Sequence, residues 1–223
     1  MTYEWNFGPT LASLPQLGTG ALFTLKLVLS SLCLAIPIGV LMGILRHQRI
    51  PFISALAAVY IDVFRSSVML VLICWCYYAL PILIGVNLST FTACTIAVGL
   101  QTSAFMAELV RGGIQAIARG QWEAARALGM PVTKSLRYII LPQAFYQMVP
   151  VFFLLLIELT KATSLAGVVT YPELFYQASE ISSRTYRPIE TFTIVGLIYM
   201  AVVFVLSRTS HYIHSRIRHS VGR

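Results

Sequence analysis

Charge is scarce in this chain. Of its 223 residues only 11% are Asp, Glu, Lys or Arg, where a soluble domain carries about a quarter. Together with a mean hydropathy of +0.78, the shortage excludes a solvated globular domain and places the chain in lipid. Acidic residues are the rarest: eight against sixteen basic ones, for a net charge of +8. A soluble protein with that excess would suggest nucleic acid; in a membrane chain the excess sets orientation. The only lysines are Lys26, Lys134 and Lys161, and none follows a glycine, so the phosphate-cradling G-x-x-x-x-G-K-[ST] loop is absent. Neither G-x-S-x-G nor H-E-x-x-H occurs, which leaves no strong catalytic constellation. The four cysteines, Cys33, Cys74, Cys76 and Cys94, all lie in apolar runs. Cys74 and Cys76 have no nearby His, Asp or further Cys to complete a tetrahedral metal site, so all four read as small buried hydrophobes. His211 and His214 sit in a basic tail and read as a solvated helix end near lipid headgroups rather than as metal ligands. The N-terminus has Glu4 and no early basic residue, so no cleavable signal peptide is expected.

What is present is long apolar text. A membrane helix needs about 20 apolar residues. Five segments qualify: residues 20–45, 67–85, 90–107, 140–160 and 190–207. Lys26 lies near the start of the first and can snorkel. The third is rich in Gly, Ser, Thr and Ala, as in a helix packed among helices. Pro150 is interior to the fourth and is expected to kink it. Arg46, Arg49 and Arg65 follow the first span. Arg111, Arg119, Arg126, Lys134 and Arg137 follow the third, and Arg208, Arg216, Arg218 and Arg223 the fifth. Twelve of sixteen basic residues thus share one side. The N-terminus is therefore expected outside and the C-terminus in the cytoplasm. The expected organisation is all-α and polytopic: an external segment 1–19, a transmembrane domain 20–210, and a basic cytoplasmic tail 211–223.

One cytoplasmic stretch breaks the apolar pattern. Residues 115–138, between the third and fourth spans, carry Glu123, Arg126, Lys134 and Arg137 among Ala124, Ala125, Ala127 and Gly129. Gln121–Leu128 has helix-forming composition. Gly129 suits the left-handed residue that ends such a helix, and Pro131 suits the first turn of a second one. Small side chains at Ala124, Ala125 and Gly129 admit the close approach of another protein. On residue chemistry alone, an ordinary amphipathic loop helix remains an equal alternative.

The same stretch resembles the EAA signature of ABC-transporter membrane subunits. Glu123-Ala124-Ala125, then Gly129, then Ile139-Ile140-Leu141-Pro142 follow its order and spacing. Upstream, AELVRGGIQAIARGQ at 107–121 is similar to the matching run of the polar amino acid permeases. Downstream, LPQAFYQMVP at 141–150 and TSL at 163–165 are similar too. The resemblance implies a type I importer permease fold, with the EAA segment as a coupling helix seated in a cytoplasmic ATPase. It further implies two ATP-binding subunits that use ATP and Mg, a second permease subunit, identical or homologous, and an external amino-acid-binding protein. This chain itself is expected to hold no cofactor. Two departures stand out. The family pattern R-G-T-P-L-L reads Arg65-Ser66-Ser67-Val68-Met69-Leu70 here, and K-D-T-S-L reads Lys161-Ala162-Thr163-Ser164-Leu165.

Two ionisable pairs lie at span ends. Glu108 and Arg111 are spaced i,i+3 and read as a structural ion pair. Glu158 and Lys161 share the same spacing. They either hold a helix end or, with Thr163 and Ser164, line a substrate route, since an amino acid presents a carboxylate and an ammonium together. Two competing functions remain: an intramembrane enzyme, for which Glu158 near Ser164 is the best available pair, and a scaffold without transport activity.

Overall fold

The computed structural model describes residues 4–47 and 51–221. Arg49 and Arg223 lie outside the described residues, as do the side chains of His214, Arg216 and Arg218. The described residues form helices and no strand: α1 (Gly8–Ala12), α2 (Leu14–His47), α3 (Pro51–Ser66), α4 (Met69–Cys74), α5 (Leu80–Ile84), α6 (Thr90–Gln115), α7 (Arg119–Ala127), α8 (Val132–Ser135), α9 (Leu141–Ala162), α10 (Leu174–Thr185) and α11 (Pro188–Val221). Four continuous helical stretches are long and apolar enough to cross a membrane: Leu14–Arg46, Thr90–Gln115, Val132–Val169 and Pro188–Ile213. Pro51–Ser66 and Met69–Ile84 make a fifth if counted as one span bent by 102°. Several helices outrun the expected apolar segments, as α2 does at its start and α6 at its end, because polar residues such as Gln16 and Gln115 continue helices that packing has already fixed.

α6 is the most enclosed of the four long helices, and its contact with α2 explains why. Gly39 and Gly43 on α2 face Ser103 and Ala107 on α6, while Gly99 on α6 takes Leu34 of α2. A Cβ at Gly39 would lie 2.7 Å from the Ser103 carbonyl oxygen, and one at Gly43 would lie 2.7 Å from that of Ala107. Small residues four apart let the two backbones meet, and dispersion then replaces the hydrophobic drive that lipid cannot supply. Substituting Leu at either glycine would force the helices apart.

The sharp bend between α3 and α4 occurs without Gly or Pro. Val68 is extended (φ −78°, ψ 118°). The groups this releases are claimed locally: Ser67 Oγ donates to the Phe64 carbonyl (2.7 Å), and Gln101 Nε2 on α6 donates to the Ser67 carbonyl (2.6 Å). Irregular backbone inside a membrane persists only when satisfied this way. Two π-helical turns, Trp75–Ala79 and Leu136–Ile140, each end two residues before a proline. In each, the following amide reaches back five residues: Leu80 to the Trp75 carbonyl and Leu141 to that of Leu136. Pro81 and Pro142 cannot donate to the carbonyl four residues back, and the widened turn absorbs the mismatch.

The end of the bundle that gathers the start of α2, α10 and the start of α11 is tied by buried polar groups. Glu173 caps α10 and is fully buried. It accepts from the Phe175 and Tyr176 amides (2.8 and 2.6 Å) and from the Tyr199 hydroxyl (3.0 Å). Thr24 Oγ1 accepts from the Leu174 amide, joining α2 to the same junction. Beside it, buried Glu190 accepts from Arg187 (2.9 Å) and from the Asn6 amide (3.1 Å), while Thr10 bonds Thr191. The N-terminal segment is thus strapped across the start of α11.

Candidate functional site

At the opposite end of α2, a short polar helix hangs from the bundle. α7 runs Arg119–Ala127 and closes on Gly129 at φ +70°. The Met130 amide bonds the Ala125 carbonyl (3.1 Å) and the Gly129 amide bonds that of Arg126 (2.9 Å), the paired bonds of a Schellman ending. A Cβ at Gly129 would meet nothing within 4 Å. The glycine is therefore required by backbone handedness, not by crowding. Glu123, Ala124, Arg126, Ala127, Leu128 and Gly129 are all exposed. The seat is built from Trp122, which packs on an apolar cluster of Val110, Ile114, Ile117, Ile140 and Ala144. Gln143 adds a hydrogen bond to Gln121 (3.2 Å).

Three details differ from expectation. Ala125 is fully buried, so its small size serves packing within this chain rather than an outside approach. α7 starts at Arg119, which puts Glu123 past the first turn, where helix-end attraction has faded. Pro131 caps α8 in an extended conformation (ψ 150°) instead of sitting in its first turn.

A groove of about 760 Å³ runs between α6 and α9. Apolar residues make most of its wall. Its polar lining is Gln101, Thr102, Glu108, Gln147 and Glu158. Glu108 is held by a forked bond to Arg111 (2.7 Å at Nη2, 3.1 Å at Nε), with Arg65 at 3.7 Å. The pair therefore ties α6 to the end of α3. Glu158 and Lys161 meet at 2.8 Å with both side chains more than half exposed. Thr163 does not share their face: it is fully buried and its hydroxyl donates to the Thr160 carbonyl (2.7 Å). Ser164 Oγ donates to the Lys161 carbonyl (2.8 Å), so it is bonded to backbone rather than to a base. Gln101 and Thr102 escaped the sequence reading. A polar side chain inside a span is the signal that marks them. Among the described residues, no group of three His, Cys, Asp or Glu is placed to hold a metal ion.

Helices long and apolar enough to cross a membrane, an open interhelical groove and an exposed polar helix define the class as a polytopic membrane protein. The sequence matches the family described as binding-protein-dependent transport system inner membrane component over residues 35–219. It is 33% identical to the arginine transport system permease protein ArtQ of Bacillus subtilis over 203 residues, covering 91% of this chain and 92% of that one. It is 31% identical to the glutamate/aspartate import permease protein GltK of Escherichia coli over 221 residues, covering 96% and 99%. A solved amino acid ABC transporter with histidines superposes with a TM-score of 0.89 at 31% identity, covering 96% of this chain and all of that one. The MetNI methionine ABC transporter shares the fold alone, at 20% identity and a TM-score of 0.77. The chain belongs to the binding-protein-dependent inner-membrane transport family: it is an ABC-transporter permease subunit, not an enzyme.

Proposed function

We propose that this chain forms half of the translocation pathway of an amino-acid importer and is driven by separate ATP-binding subunits. The observation that carries the coupling half of this reading is α7. It is short and polar, its side chains at 123, 124 and 126–128 face away from the bundle, and Gly129 sets its end in open space. A partner ATPase seats on that face. Because Val132–Val169 is one continuous helical stretch, a push on α7–α8 reaches the groove along α9. ATP and Mg belong to the partner, and this chain binds no cofactor. A second permease closes the open side of the groove, and an external binding protein delivers the amino acid. The basic residues at and beyond the C-terminal ends of α2, α3, α6 and α11 keep the C-terminus in the cytoplasm and the N-terminus outside.

Glu158 on the groove wall, with Lys161 bonded to it from just outside the lining, offers complements to the ammonium and carboxylate of an amino acid. Thr163 and Ser164 serve by shaping the helix end that carries them. The intramembrane-enzyme reading loses its nucleophile, because the Ser164 hydroxyl is bonded to the Lys161 carbonyl. A scaffold would have no use for an ion pair of this exposure on a groove wall. The test is reconstitution of this chain with its ATP-binding subunits and binding protein in proteoliposomes. Uptake of labelled amino acid that requires ATP on the α7 side supports the proposal. Uptake that ignores ATP removes it.

A further inference from the structure

α3 runs across the bundle rather than along it. Near its start, Arg46 Nη1 donates to Ser54 Oγ, and Ser54 Oγ donates to the Arg46 carbonyl (3.1 Å each). At its end, Arg65 lies 3.7 Å from Glu108, the neighbour of the Ala107 on which Gly43 packs. Positions 43 and 46 differ by about 4.5 Å along α2, while 54 and 65 are about 16 Å apart along α3. The 102° bend to Met69–Ile84 agrees with this crossing. Ile44 packs on the cluster beneath Trp122, so α3 lies at the α7 end of the molecule. A helix so placed in a membrane chain lies in the interface plane.

Its two apolar sides have different fates. Ala57 and Ile61 are buried against the bundle. Phe52, Leu56, Val59 and Val63, about one turn apart, form a stripe between 59% and 79% exposed. Between this stripe and α2 runs a second groove, of about 410 Å³. Met42 and Leu45 form one wall, and Phe52, Ile53, Leu56 and Tyr60 much of the other. Among the described lining residues none is charged, and the Tyr60 hydroxyl is spent on Ser103 (2.6 Å). A polypeptide segment laid in this groove would bring amides that find no partner; a hydrocarbon chain brings none.

The mouth of the groove is basic. Arg46 follows Leu45 and is bonded to Ser54, which follows Ile53, so it stands where the two walls join. Arg46 is exposed and spends only Nη1; its Nε and Nη2 make no hydrogen bond with a described residue. An uncharged slot beside an unspent guanidinium complements a molecule with an acyl chain and an anionic head.

We infer that the groove between α2 and α3 binds one anionic phospholipid, with an acyl chain along Phe52, Leu56 and Tyr60 and its phosphodiester on the open side of Arg46. The site stands apart from the groove between α6 and α9 and from the exposed face of α7. A zwitterionic lipid offers the same chain, but its own ammonium offsets the phosphate charge that Arg46 meets.

The test places a reporter in the slot. Phe52→Trp exchanges one exposed aromatic ring for another. The full chain with its co-purifying subunits is reconstituted in mixed bilayers of phosphatidylglycerol and phosphatidylcholine with identical acyl chains, one lipid brominated at a time. Quenching of the added tryptophan, taken as the difference from the protein without it, reads which lipid occupies the groove. Phosphatidylglycerol is expected to be favoured about fivefold. Leu197→Trp, on the exposed side of α11, should show no such preference. Arg46→Gln should abolish the preference seen with Phe52→Trp. Ser54→Ala, which removes the hydroxyl contact and keeps the charge, should retain it. Equal quenching by the two lipids in Phe52→Trp overturns the assignment, because the groove is then ordinary lipid-facing surface. A preference that survives Arg46→Gln overturns it as well. So does the absence of quenching by either lipid, since a protein, a second copy or an ATP-binding subunit, then covers the groove.

Discussion

The two polar ends of this molecule use charge in opposite ways. At the α10 junction, Glu173 and Glu190 are fully buried, and Glu173 alone satisfies three donors from two helices. At α7, Glu123 and Arg126 are exposed, and the side chain of Arg126 reaches only the Trp122 carbonyl at 3.4 Å. A buried carboxylate survives only when its lone pairs are occupied, so the first end is built as a fastener. Exposed charges on a nine-residue helix contribute little to stability. On the proposed function, such a helix serves a partner outside the chain, and the difference separates polar residues that hold the bundle from polar residues proposed to address that partner.

The comparison breaks most visibly at Glu173. Burial pushes its carboxyl up to about 7, against the lowering effect of the Phe175 and Tyr176 amides and the Tyr199 hydroxyl. Glu173→Ala leaves those three donors unpaired and is expected to cost about 3 kcal/mol or more. The check is the chemical or thermal unfolding midpoint of the detergent-solubilised chain. Relative to an unfolded chain titrating near 4.5, the raised value adds stability that is complete below the ordinary carboxylate range. That contribution is lost as pH rises through about 7. Glu173→Gln should therefore flatten the fall in stability between pH 5 and 8, at a smaller constant loss than Ala. A variant that keeps the wild-type slope would move the pH sensitivity elsewhere.

At the other end the expected effects are smaller in stability and larger in function. Gly129→Asn should cost about 1 kcal/mol or less and retain most partner-stimulated hydrolysis, because Asn tolerates the left-handed backbone. Gly129→Val should cost about 1–3 kcal/mol, since a β-branched residue does not. Circular dichroism melts and ATPase assays on the same preparations separate the two. Glu123→Lys is the mildest: stability within about 0.5 kcal/mol of wild type, with stimulated hydrolysis reduced several-fold through reversed charge on the docking face. Equal melting points with unchanged hydrolysis would take Glu123 out of that face.

Helix existence was legible in the sequence because lipid demands long apolar runs, and four of the five expected segments fall within continuous helical stretches, while 67–85 opens on the break at Ser67–Val68 and is otherwise helical over 69–84. Helix ends were not. α2 begins at Leu14 rather than near residue 20, and α9 belongs to a stretch starting at Val132. Polar residues extend these helices because neighbours, not hydropathy, fix the backbone there. The break at Ser67–Val68 was illegible for a related reason: a side chain from α6 stabilises it, and no local Gly or Pro announces it. In the α7 segment, the turn at Gly129 was readable from composition because only backbone handedness is at stake. The inward face of Ala125 was not, because alanine carries no preference for either side. Thr102 was hidden by its setting, one hydroxyl among the small residues that pack α6 on α2.

The most direct test of the central claim is binding-protein-stimulated ATP hydrolysis by Gly129→Arg in proteoliposomes, beside wild type and Gly129→Asn. Arg adds bulk and charge at the end of α7, where a partner must approach and nothing in this chain lies within 4 Å. The account predicts a folded, membrane-inserted chain whose stimulation by the loaded binding protein is lost, with Gly129→Asn close to wild type. Wild-type stimulation in Gly129→Arg would contradict it, since α7 would then not be the surface through which the ATPase drives transport.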